Sequence, residues 1–66
     1  MELTEAQKLL IRWLRLLDLT EEEQEAIFLF LKTEEQQVEL MDYLYLHRNA
    51  TGEEALKETI RILKKR

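Results

Sequence analysis

The sequence predicts an all-α fold, a compact bundle of four short helices with tight connections. Four threonines are each followed three residues later by Glu or Gln, apolar residues recur at helical spacing after each threonine, and proline is absent. At 66 residues the chain has the length of one domain, so we expect residues 1–66 to form a single four-helix unit.

Each threonine and its partner have the spacing of a capping box. In this motif the threonine oxygen accepts a hydrogen bond from the backbone N–H of the third helical residue, and the Glu or Gln side chain accepts one from the threonine N–H. The pairs are Thr4 and Gln7, Thr20 and Glu23, Thr33 and Gln36, and Thr51 and Glu54. They predict helices over roughly residues 5–17, 21–31, 34–48 and 52–64.

The first predicted helix has two opposite faces. A projection at about 100° per residue separates an apolar stripe from a basic one. The apolar stripe contains Ala6, Leu9, Leu10, Trp13, Leu14 and Leu17, and the basic stripe contains Lys8, Arg12 and Arg15.

The second predicted helix contains six consecutive apolar residues, from Ala26 to Leu31. A run of this kind is also compatible with a buried strand, but the capping box before it and the lack of a partner strand favour a helix. Because its side chains point in every direction, we expect the helix to lie at the centre of the bundle. Ile27, Phe30 and Leu31 would supply the core, and Phe30→Ala would cost about 3–5 kcal/mol.

The third and fourth helices are expected to cover the second with one apolar face each. In the third helix, the predicted inward residues are Val38, Leu40, Met41, Leu44 and Tyr45. In the fourth helix, they are Leu56, Thr59, Ile60 and Leu63, with Ala55 and Ile62 at the sides.

Several apolar residues do not fit these inward faces. They are Ile11, Phe28, Leu29, Tyr43 and Leu46. Isolated exposed apolar residues are normal on proteins, whereas a cluster of them marks a surface that a partner covers. We favour the second explanation and treat these five residues as a candidate interface, because small domains often enlarge their core by association.

Charge is unevenly distributed around a net value of −4. Residues 1–19 are neutral, residues 20–47 carry −7 and residues 48–66 carry +3. Helix dipoles explain much of this pattern, since acids occupy the first turns and bases the last. The basic residues of the first and last helices would also orient a second copy against the acidic middle of the chain. These candidate charge-steering residues are Lys8, Arg12, Arg15, Lys57, Arg61 and Lys64.

The composition disfavours catalysis. The chain has no cysteine, no serine and one histidine, so the usual nucleophile–histidine arrangements cannot be assembled. His47 lacks a glutamate one turn before it, and there is no Gly-rich phosphate loop. We therefore expect no enzymatic activity, no catalytic, cofactor-binding or metal-binding residue, no cofactor and no small-molecule substrate.

The absence of cysteine is typical of a reducing compartment, and the N-terminal residues do not resemble a signal peptide. No apolar run is long enough to span a bilayer. We therefore expect a soluble, cytoplasmic protein without a membrane partner.

The function most compatible with these features is a small helical module for protein–protein interaction or self-association. A designed helical scaffold without a natural function is one alternative, since the caps and terminal charges agree unusually well with the helices. A helix-turn-helix DNA-binding protein is another, with Lys57, Arg61 and Lys64 on its last helix. Glu53, Glu54 and Glu58 interrupt that basic face, so we do not expect nucleic-acid binding.

Overall fold

A computed structural model describes residues 2–65, and within that range the chain forms four α-helices and no strand. The helices are α1 (Glu5–Arg15), α2 (Glu21–Phe30), α3 (Glu34–Leu46) and α4 (Gly52–Lys64). The all-α prediction is confirmed, as are the four helix starts. Three helices end one or two residues earlier than predicted. After α2 and α3 the backbone leaves the helical region, with ψ of 85° at Leu31 and 71° at His47.

The four capping boxes account for the helix starts. Every threonine Oγ1 accepts a hydrogen bond from the backbone N–H three residues later, at 3.1 or 3.2 Å. In return, each threonine N–H donates to the Glu or Gln side chain at distances from 2.8 to 3.3 Å. Both halves of the motif are therefore present at every start, and the helices begin where local chemistry specifies.

The helices are arranged in a ring. α1 packs against α2 and α3, and α4 packs against the same two helices. No Cα atoms of α2 and α3, or of α1 and α4, approach within 8 Å among the described residues. The prediction that α2 is the centre of the bundle is therefore wrong. The core lies between all four helices, and α2 is one side of the ring.

Each helix contributes two side chains to the core, counting Leu31, which follows directly after α2. The buried apolar residues are Leu10, Leu14, Ile27, Leu31, Leu40, Leu44, Ala55 and Ile62. Partly buried side chains surround them, including Trp13, Phe28, Met41, Tyr43 and Leu56.

Phe30 is not part of the core, contrary to the prediction. Its side chain is 56% exposed, whereas Leu31 is 1% exposed. α2 ends at Phe30 and the backbone leaves the helical path at Leu31, so these two adjacent side chains have different environments. Ile27 and Leu31 are buried as predicted.

The inward faces of the other helices differ in part from the prediction. Leu9 of α1, Val38 and Tyr45 of α3, and Ile60 and Leu63 of α4 are exposed. In α4 the buried side is instead formed by Ala55, Glu58, Thr59 and Ile62. This face is rotated by about one residue position, or about 100°, from the predicted one. The apolar arc of α4 is wider than the surface that its two neighbours cover, so neighbour positions decide which part is buried.

Among residues 2–65 three polar side chains are buried, and each has a hydrogen-bond partner. Gln37 Nε2 donates to the carbonyl oxygen of Leu31 at 2.8 Å. Thr59 Oγ1 donates to the carbonyl oxygen of Ala55 at 2.8 Å. Glu58 accepts hydrogen bonds from Arg61. Within residues 2–65 no buried side-chain nitrogen or oxygen lacks a hydrogen-bond partner, so these groups do not destabilise the core by desolvation alone.

Gly52 allows α4 to begin against the loop between α1 and α2. A Cβ atom at this position would overlap the carbonyl oxygen of Asp18 and lie 2.7 Å from Leu19 Cδ2. Gly52 is buried, and its lack of a side chain allows the two backbone segments to approach this closely.

Candidate interaction surface

α1 carries an exposed apolar groove. Leu9, Arg12, Trp13 and Leu16 line it, at positions i, i+3, i+4 and i+7 of one helical face. Trp13 packs its inner side against the core, while Leu16, at the C-cap, is 80% exposed. This spacing is the one by which an amphipathic helix contacts another helix.

Basic side chains lie beside this groove. Arg12 is one of its walls and Arg15 follows in the last turn of α1. Lys8 is in an ion pair with Glu5, with Nζ 3.8 Å from Oε1. Neither Arg12 nor Arg15 forms an ion pair with any of the described residues. Arg12 in the groove and Arg15 in the last turn therefore give this part of α1 an uncompensated positive charge.

α2 has the opposite character on its outer side. Glu22, Glu25 and Leu29 occupy positions i, i+3 and i+7 and share one exposed face. Leu29 is 58% exposed, and Phe30 beside it is similarly accessible. Within the part of the chain that the structure describes, no glutamate of α2 takes part in an ion pair. This face combines uncompensated negative charge with an apolar end.

The outer sides of α3 and α4 carry further apolar residues. Val38, Tyr45 and Leu46 are exposed on α3, and Ile60 and Leu63 on α4. Arg48 lies over the ring of Tyr45, at 5.2 Å from its centroid. Such a cation covers part of the aromatic face with a solvated group.

The five predicted interface residues have different environments. Leu29 and Leu46 are exposed, as an interface requires before binding. Phe28 and Tyr43 are half-buried and pack against the core, and Tyr43 also stacks on His47 with 4.3 Å between the ring centroids. Ile11 is half-buried. The five lie on three helices, and none of the described contacts joins them into one patch.

The α1 groove contains two residues that the sequence interpretation missed as surface candidates. Leu9 was assigned to the core, and Leu16 was assigned to neither group. A helical projection already places Leu9 and Leu16 on one face with Trp13 between them, because they are seven residues apart. The projection does not indicate which edge of a broad apolar stripe stays uncovered.

The six candidate charge-steering residues divide into two groups. Three form ion pairs within their own helix: Lys8 with Glu5, Lys57 with Glu53 at 3.6 Å, and Arg61 with Glu58. Arg12, Arg15 and Lys64 have no such partner among residues 2–65. The ion pairs of α4 reduce the charge that this helix offers to another molecule.

Glu58 and Arg61 form a two-point contact at the edge of the core. Arg61 Nε donates to Glu58 Oε1 at 2.9 Å, and a terminal guanidinium nitrogen donates to Oε2. These hydrogen bonds lower the pKa of the Glu58 carboxyl from its ordinary value of 4.5, against the opposing effect of burial. They also raise the pKa of Arg61. Arg61 thus supplies hydrogen bonds to both oxygens of the buried Glu58 carboxylate.

Among residues 2–65, no group of three or more His, Asp or Glu residues is arranged to hold a metal ion. None of the helices in that range combines the length and the apolar character needed to cross a membrane.

The fold thus defines a small all-α protein with a ring of four capped helices. Comparisons with protein-family models, with curated proteins and with solved structures find no match for this chain.

Proposed function

We propose that this chain is a non-enzymatic interaction module that associates with itself through exposed apolar side chains on its helices. The amount of surface carries this proposal. The chain exposes 5173 Å², whereas a folded monomer of 8.0 kDa exposes about 4,450 Å². The chain therefore exposes about 700 Å² more than a typical folded monomer of its mass.

An elongated shape does not explain the excess. The radius of gyration is 10.7 Å, and a compact domain of 66 residues has about 10.8 Å. Among residues 2–65, ten large apolar side chains are exposed, among them Leu16, Leu29 and Leu46. Covering such side chains is favourable by about 25 cal/mol per Å² of apolar surface.

The solution mass tests the proposal. Light scattering over a wide concentration range should show a mass that rises from one chain toward two. A variant with Leu16→Gln and Leu29→Gln should stay monomeric over the same range, because it removes two exposed apolar contacts. Lys32→Gln with Glu34→Gln, at exposed positions outside the apolar surface, is the control and should behave as the parent. A parent that is monomeric at every concentration would overturn the proposal.

Nucleic-acid binding ranks below self-association. Lys57 and Arg61, which would contact phosphates in a helix-turn-helix protein, are held by Glu53 and Glu58. A continuous positive surface is what phosphate binding requires. The designed-scaffold alternative makes no prediction of association.

A further inference from the structure

We infer that the partner is a second copy of this chain, and that α1 of each copy lies on α2 of the other in a two-fold dimer. This inference rests on the proposed function and specifies its partner and surface. In a two-fold dimer the same face of both copies is used, so the two complementary elements must be neighbours in one chain. α1 and α2 are such neighbours.

Charge complementarity favours this pairing. The groove on α1 has Arg12 as a wall, Arg15 lies in the last turn of the same helix, and the described residues leave both without an ion-pair partner. The outer face of α2 carries Glu22 and Glu25, which also have no ion-pair partner among the described residues. Placing these faces together gives each charge a partner in the other copy and fixes the orientation of the two chains.

The two faces extend over the same length of helix. Leu9 and Leu16 are seven residues apart on α1, which is about 10.5 Å along the axis. Glu22 and Leu29 are also seven residues apart on α2. Leu29 and Phe30 at the C-terminal end of α2 would enter the groove beside Trp13, where packing is driven by apolar burial.

Other pairings of this surface are less favourable. α1 against α1 would bring Arg12 toward the same residue of the other copy, and α2 against α2 would bring Glu22 and Glu25 toward the same two glutamates of the other copy. Like charges that face each other across an interface oppose association. On α3, Arg48 already covers part of Tyr45, and on α4 the bases Lys57 and Arg61 are already in ion pairs.

The test uses two charge-reversed variants. One carries Arg12→Glu and Arg15→Glu, so that α1 and α2 are both acidic. The other carries Glu22→Arg and Glu25→Arg, so that both are basic. Each variant alone should dimerise more than about tenfold more weakly than the parent, because like charges then face each other. An equimolar mixture should form a heterodimer with an affinity near that of the parent. Light scattering and sedimentation measure both results.

Matched controls separate this interface from a general effect of net charge. Lys57→Glu with Lys64→Glu changes the net charge as the first variant does, and Glu34→Arg with Glu35→Arg changes it as the second does. Both controls should dimerise like the parent. Circular dichroism melts of all four variants establish that each is folded before masses are compared.

The outcomes distinguish this inference from the proposed function. If the parent dimerises but the reversed variants do so equally well, the α1–α2 pairing is wrong while self-association stands. If only the first variant is weakened, α1 meets a surface other than α2, and the inference is likewise overturned. If the parent remains monomeric, both the inference and the proposed function fail. Recovery in the mixture, with weakness in each variant alone, supports the pairing.

Discussion

At the scale of single residues, Gly52 shows how closely the elements approach each other. Its position leaves no room for a methyl group, since a Cβ would lie 2.7 Å from Leu19 Cδ2 and 2.9 Å from the carbonyl carbon of Asp18. The atoms of Asp18 belong to the backbone, so they cannot move aside by a change of rotamer. A residue that local propensity would mark as replaceable is therefore required by packing.

We expect Gly52→Ala to destabilise the fold by about 1–3 kcal/mol through overpacking. In an exposed helix the same change stabilises by up to about 1 kcal/mol, so the sign of the effect is diagnostic. Urea denaturation would measure it. Glu53→Ala, at the next and exposed position, is the control and should lie within about 0.5 kcal/mol of the parent. A gain in stability for Gly52→Ala would contradict the close approach of α4 to the loop between α1 and α2.

The adjacent residues Phe30 and Leu31 should respond very differently to truncation. Leu31→Ala removes a side chain that is 1% exposed and should cost about 2–5 kcal/mol. Phe30→Ala acts on a side chain that is 56% exposed and should cost less than about 1 kcal/mol at concentrations where the chain is monomeric. Thermal melts of the two variants provide the comparison. A larger cost for Phe30→Ala than for Leu31→Ala would instead place Phe30 in the core and contradict the end of α2 at Phe30.

The carboxyl of Glu58 should make stability depend on pH. Its pKa in the folded chain is lowered, mainly by the hydrogen bonds from Arg61. The stabilisation is therefore fully present above the unfolded value, near 4.5, and is lost as pH falls through the lower folded value. Glu58→Gln should lose less stability than the parent on acidification through this range, as measured by urea midpoints at several pH values. Glu53→Gln, at an exposed position, should retain the parent's slope.

At the scale of elements, the ends of helices are held by two kinds of contact. Each helix start is held by side-chain hydrogen bonds between residues three apart. The end of α2 is instead held by a hydrogen bond from a side chain of another helix. Gln37 of α3 donates to the carbonyl oxygen of Leu31, which would otherwise be a buried acceptor without a partner. This hydrogen bond joins two consecutive helices whose Cα atoms stay more than 8 Å apart.

Replacing Gln37 with Leu should therefore cost about 1–3 kcal/mol, the penalty for leaving a buried carbonyl unsatisfied. The comparison is Gln24→Leu, which removes a similar hydrogen bond to the carbonyl oxygen of Leu19 at 3.2 Å. Because Gln24 is only half-buried, water can replace its amide, and the cost should stay below about 1 kcal/mol. Equal costs in urea denaturation would show that the burial of Gln37 is not the source of the effect.

At the scale of the whole molecule, association and stability are linked. A dimer that forms only from folded chains raises the melting temperature as protein concentration increases. We expect the parent to show this dependence in calorimetry, and the variant with Arg12→Glu and Arg15→Glu to show a smaller rise of melting temperature over the same concentrations. A melting temperature that is constant for the parent would contradict self-association.

High salt should weaken the same dimer. The arginines and glutamates assigned to it are exposed before binding, and exposed charges are screened over about 8 Å at physiological ionic strength. The apolar contacts of Leu16 and Leu29 are not screened in this way. Association that strengthens with added salt would indicate that apolar burial acts without the charge pairing.

The sequence by itself determined the class of the fold and the beginning of every helix. A capping box is complete within four consecutive residues, so Thr4, Thr20, Thr33 and Thr51 specify helix starts whatever surrounds them. The tertiary structure alone decided which side of each helix faces inward. That choice depends on where the neighbouring helices lie, and a broad apolar arc such as that of α4 is compatible with several rotations. For the same reason only the packed structure left Leu9, Leu16 and Phe30 exposed, which placed the candidate surface on α1 and α2.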